Sequence, residues 1–185
     1  MATFGNTTAG SDTFPCSNDR CIASKFTLTE TGNVTSMTAR FDASSTAGTN
    51  FKPVIYNDSA GSPGARNTVG SATAVPAGGG AIQATITATL SAGDYWLGYV
   101  CDSSTAVAEI ELTGTGQRKE SLTYASPADP FGTPDGSLAE VCIYATYTGG
   151  PGSPPIANAI DVAQYRGKGK RSSGMSWGLK ASEWW

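Results

Sequence analysis

The chain has 185 residues, 39% of them hydrophobic and only 15% charged, with 23 Gly, no His and a formal net charge of −3. This length holds one domain plus an appendage, with a core that needs neither metal nor crosslink, and no run of about 18 apolar residues is present to cross a bilayer as a helix. The missing His removes Ser-His-Asp and Cys-His catalysis and the commonest metal ligand, while a composition rich in Thr, Ser, Ala and Val and poor in Leu, Glu and Lys predicts short strands joined by Gly, Ser and Pro turns.

Residues 1–20, MATFGNTTAGSDTFPCSNDR, carry no basic n-region and no apolar h-region. No secretory signal is expected, and synthesis in a cytoplasm is. They read as an N-terminal segment ahead of a body spanning 21–148. Within the body, alternation marks the strands. In 21–29, Ile22, Phe26 and Leu28 share a face; in 35–41, Met37, Ala39 and Phe41 do. Residues 51–58 contain Pro53, which cannot donate to a ladder and predicts an edge strand. Residues 81–90 alternate most regularly, with Ile82, Ala84, Ile86, Ala88 and Leu90 inward and Gln83, Thr85, Thr87 and Thr89 outward. Residues 94–101, DYWLGYVC, are apolar on both faces, which predicts a central strand. Its Tyr95, Trp96 and Tyr99 are then core residues rather than a platform for a sugar. In 107–112, Glu109 and Glu111 point outward, and in 140–148, Val141, Ile143, Ala145 and Tyr147 share a face. Fainter alternation marks 67–75 and 119–124. Eight or nine such strands, separated by turn signals and one long Pro/Gly loop at 126–136, predict an all-β, antiparallel, jelly-roll-like β-sandwich.

Little in this body points to chemistry. Cys16, Cys21, Cys101 and Cys142 lack the two close pairs of a zinc site. Two readings stand: disulfides pairing Cys16 with Cys21 and Cys101 with Cys142, or buried thiols. Glu109 and Glu111 lie two apart on one strand face, where a solvated face is a simpler reading than a glycosidase pair. Asp129 and Asp135, in the long loop, lack the spacing of a calcium loop and read as turn formers. No catalytic residue, metal or cofactor is expected.

The ends differ in charge. Residues 1–150 hold 7 Lys/Arg and 13 Asp/Glu, a net of −6; residues 151–185 hold 5 Lys/Arg and 2 Asp/Glu, a net of +3. The stretch 149–155, GGPGSPP, reads as a linker. Residues 156–185 form the expected arm, opening on one short helix whose stripe is Ile156, Ala159, Ile160 and Ala163. The arm then carries Arg166, Lys168, Lys170, Arg171, Trp177, Lys180, Trp184 and Trp185. Few cations and an acidic body argue against nucleic acid. Spread charge and glycines argue against a membrane surface. Trp and Arg are the residues that anchor protein interfaces, so these eight are the expected partner-binding set.

Three stretches carry a resemblance: KFTLTETGNVTSMTARF (25–41), VIYNDSAGSPGA (54–65) and LSAGDYWLGY (90–99). Across roughly residues 20–147 the chain resembles a family of jelly-roll-like β-sandwich modules found in phage virion proteins and bacterial surface proteins. The resemblance implies a non-enzymatic exterior virion component, such as a capsid decoration protein. Its partners would be the major capsid protein or tail and fibre proteins. It also implies a homo-oligomer, with a trimer about a symmetry axis as one form. The alternative it implies is a tail or fibre adhesin that recognises host surface glycans through loops such as 57–66 and 126–137.

Overall fold

Regular alternation of small apolar and hydroxyl residues yields strands that are buried on one side and wet on the other. The computed structural model describes residues 1–119 and 122–149, all within one compact unit, Met1–Ser153. The remaining linker, the expected helix and all eight partner-binding residues of the arm lie outside the described residues.

Twelve strands are present among the described residues: β1 (Ala2–Gly5), β2 (Asp12–Pro15), β3 (Cys21–Leu28), β4 (Gly32–Phe41), β5 (Thr49–Ser59), β6 (Ser62–Val69), β7 (Thr73–Val75), β8 (Gly80–Leu90), β9 (Gly93–Cys101), β10 (Val107–Lys119), β11 (Gly136–Val141) and β12 (Ile143–Gly149). They form two antiparallel sheets, a β-sandwich. One sheet runs β1-β12-β4-β8, the other β6-β5-β9-β3-β10, with β11 beyond β10 and β7 beside the start of β5. The long β10 links the two. Ala108 pairs with Phe41 of β4, and residues 116–119 pair with β3. A register shift between Glu111 and Gly116 lets it bend from one sheet into the other.

The inner faces form one core. Leu28, Met37, Phe41, Phe51, Ile55, Leu97 and Ile143 are fully buried in it, and Ile86, Leu90 and Tyr99 nearly so. Phe41, Phe51 and Tyr99 pack ring to ring, with centroids 5.2–5.8 Å apart. In β8 the inward and outward sets are those read from alternation. In β4 a bulge between Val34 and Ser36 puts both Val34 and Met37 inside, although they are three apart.

The structure differs from the sequence reading in four places. First, residues 1–20 do not stand apart. Strand β1 extends one sheet along β12, β2 pairs with β10, and Phe4 and Cys16 join the core. Second, β5 is not an edge strand, since β9 lies on one side and β7 and β6 share the other. Pro53 sits where that second partner changes, between Phe51 on β7 and Val54 on β6, so its missing N–H leaves no ladder bond unmade. Its carbonyl accepts from Gly70 N at 2.8 Å. Third, the region 67–75 divides between β6 and β7, and 140–148 divides between β11 and β12 at Cys142. Fourth, Leu122, Thr123 and Tyr124 lie outside any strand.

Strand β9 is buried on both faces, as expected, but for a reason alternation does not give. Only one sheet packs on it. Its other face, with Cys21, Ala23, Val54, Tyr56, Trp96 and Val100, is roofed by a strap of chain, residues 122–135, that inserts Leu122 and Phe131.

Candidate functional site

The residues that carry the resemblance meet at one place. In the β5–β6 hairpin, Ala60 (φ 52°) and Gly61 (φ 84°) form a two-residue turn of the kind that matches strand twist. Asp58 closes it, accepting from Gly61 N at 3.1 Å. The other Asp58 oxygen accepts from Trp96 Nε1 at 2.8 Å. Lys25 Nζ lies 3.2 Å from Asp94 and 3.8 Å from Asp58. Thr27 donates to Asp94 at 2.6 Å, and this bond, with Lys25, holds the Asp94 carboxyl below the usual carboxylate range. The three quoted motifs thus satisfy one another's polar groups.

The strap lies beside this junction and joins the two loops singled out for ligand contact. Phe131 N donates to Gly64 O at 3.0 Å, and Arg66 N donates to the Asp129 carboxylate at 2.8 Å. The Arg66 guanidinium also donates to the Pro127 carbonyl. The Tyr56 hydroxyl donates to Ala128 O at 3.2 Å, and Lys52 Nζ donates to the carbonyls of Tyr124 and Ala125. The Tyr56 and Phe131 rings meet edge to face, with centroids 5.1 Å apart. Burial pushes the Tyr56 phenol up. Loops 57–66 and 126–135 are therefore one surface, with their single aromatic ring, Phe131, turned inward. Asp129 accepts from the backbone and Asp135 pairs with Lys119 at 3.8 Å, so both are fasteners of this loop. Sequence reasoning named neither Lys52, Arg66 nor Phe131. One signal was available: a lone Phe in the Pro/Gly run SPADPFGTPDG marks a loop packed by its own side chain.

Tyr95, Trp96 and Tyr99 are buried, and no aromatic ring among the described residues is exposed. Glu109 and Glu111 lie half-buried on the outward face of β10, opposite the buried Ala108 and Ile110. Glu109 accepts from Arg40 Nε at 2.7 Å and from Gly10 N at 3.1 Å, and Glu111 accepts from Ser11 Oγ at 2.7 Å. Asn6 reaches Glu140 at 2.9 Å. These carboxylates fasten the N-terminal segment to the body.

Of the two readings of the cysteines, the structure has the buried thiols. All four are free and buried. Cys21 faces the strap cluster while Cys16 lies in the core between the sheets, so the five-residue spacing places them on opposite sides of β3. Cys101 faces that same core, and Cys142, at the β11–β12 break, lies near Glu109 and Arg40. Burial raises the Cys142 thiol from 9.0 to about 11 and pushes Cys21 up as well. A folded-state value above the unfolded one gives stability that is complete below pH 9.0 and lost as pH climbs from there toward about 11. The melting temperature is expected to hold from neutrality to about pH 8 and then to fall, less steeply in Cys142→Ala. A melting temperature unchanged up to about pH 11 would contradict this.

No protein-family model matches the sequence, and no curated protein matches it.

Proposed function

We propose that the chain is a structural protein of a phage particle, an exterior component such as a capsid decoration protein. In this reading its β-sandwich body faces outward and its basic, Trp-rich arm binds other virion proteins or sister copies. One observation supports its structural, non-catalytic part. The polar side chains of the three resembling motifs, Lys25, Thr27, Asp58, Asp94 and Trp96, engage each other, so the motifs serve the scaffold and not a ligand. The phage assignment itself comes from the resemblance, and the arm's role from Trp177, Trp184, Trp185 and the five cations between 166 and 180. The competing reading, a glycan-binding adhesin, is favoured by the joining of loops 57–66 and 126–135 into one surface. Against it, that surface offers no exposed ring for a sugar to stack on.

The test compares particles assembled with the full chain and with a chain ending at residue 150. Mass spectrometry of purified particles should find the first and not the second, while circular dichroism finds the same folded body in both. The isolated full chain should give no signal on an array of host surface glycans. Incorporation of the shortened chain would sink the docking arm, and a glycan signal retained by it would put the adhesin first.

A further inference from the structure

Two thiols far apart in sequence meet in the core. Cys16 follows β2, and Cys101 ends β9. Cys16 N donates to Ala106 O at 3.0 Å, and Asp19 N donates to Cys101 O at 3.0 Å. Asn18 makes an isolated parallel bridge with Cys101. The segment 16–19 is thus held against the end of β9 by its backbone, and Cys16 and Cys101 lie in the same buried cluster. Both residues are buried, at 4% and 1% exposure. The Tyr99 hydroxyl lies beside them and makes no hydrogen bond of ordinary geometry. The other two thiols are out of reach, Cys21 under the strap and Cys142 beside Glu109.

We propose that Cys16 and Cys101 are a redox pair, which a hydroperoxide converts to a disulfide that locks the N-terminal segment onto β9. The two thiols differ in readiness. The neighbouring Cys101 thiol, with the nearby Arg20 charge, lowers the Cys16 thiol, whereas the Cys16 neighbour and burial raise Cys101. Cys16 is therefore the attacking sulfur. Its thiolate attacks one peroxide oxygen, the O–O bond breaks, and a sulfenic acid forms. The departing hydroxide takes up the proton Cys16 released and leaves as water. Cys101 sulfur then attacks the Cys16 sulfur, the S–O bond breaks, and the second hydroxide leaves with the Cys101 proton as water. Two thiols lose two electrons, and one hydrogen peroxide becomes two waters. Both thiols are buried, so the reaction waits on opening of segment 16–20, which belongs to no strand. The pair would stay reduced in a cytoplasm and close outside it. This inference does not depend on the particle reading.

The full chain is treated with hydrogen peroxide, its remaining thiols are blocked, and it is digested with trypsin without reduction. Two of the four thiols should be lost, and peptide 1–20 should appear joined to peptide 67–118. A reductant should separate them. The joined species should vanish in Cys16→Ala and Cys101→Ala and persist in Cys142→Ala. In Cys101→Ala the reaction should stop at a sulfenic acid on Cys16, trapped by dimedone. The long loop closed by this bond should raise the melting temperature of the oxidised protein by on the order of 5–10 °C. Four surviving thiols, a link from 1–20 to 21–25, a link from 67–118 to the peptide holding Cys142, or no dimedone adduct in Cys101→Ala would each overturn the proposal.

Discussion

Phe131→Ala is expected to lower the unfolding free energy by about 3–5 kcal/mol, the cost of removing a fully buried aromatic ring and leaving its cavity. Phe131 has 0% exposure and, with Leu122, is one of the strap's two apolar anchors. The strap also holds on by hydrogen bonds from Phe131 N, Arg66, Tyr56 and Lys52. These are weaker fasteners, because a carbonyl released at the surface regains water, at about 1 kcal/mol each. Tyr56→Phe, which removes only the bond to Ala128, should therefore cost about 1 kcal/mol. Loss of the ring also lifts the roof from Trp96, Val54 and Val100. Trypsin then gains Lys119, whose ammonium donates to Thr133 O at 3.0 Å in the closed strap. Urea unfolding and timed digestion read the two effects together. A variant that unfolds with the parent and resists cleavage after Lys119 would show that the strap does not depend on this ring.

Gly98→Ala should cost about 3 kcal/mol, the upper end of what overpacking a rigid core does. A Cβ at Gly98 would lie 2.4 Å from Ile22 O and 2.6 Å from Ala23 Cβ. Gly98 pairs with Ala23 on one side and Val54 on the other, so β9 is held between two ladders and cannot move aside. The opposing effect, a stiffer unfolded chain, favours Ala by only about 0.4–1 kcal/mol. The clash wins. The measurement is the urea midpoint at unchanged slope, and a midpoint equal to or above that of the parent would refute the argument.

These two positions show where the sequence could and could not be read. Strand β8 was legible because its alternation is local: Ile86 and Leu90 need only know that one side is dry. The burial of Trp96 was legible in the same way, from apolar residues on both faces of 94–101. What covers its second face was not, because a strap that returns from residues 122–135 leaves no periodic trace in β9. The same holds for Gly98, whose need to be glycine comes from β3. It holds for the N-terminal segment, whose short strands carry no long pattern and are fixed by Glu109, Glu111 and Glu140, 99 to 134 positions further along the chain. Pro53 was read as marking an edge because local rules know only that it lacks a donor, and the gap between two partner strands is a tertiary fact. The cysteines make the same point. Short spacing suggested Cys16 with Cys21, but Cys21 opens β3 on the strap side, while Cys16, outside any strand, lies in the core between the sheets with Cys101. The sequence alone determined the class of fold, most of the strands and the dry side of each, because those follow from the period of a single strand. The tertiary structure decided the strap, the N-terminal fastening, the meeting of the three motifs and the thiol pair, because each is a contact between residues distant in the chain and has no local periodicity to announce it.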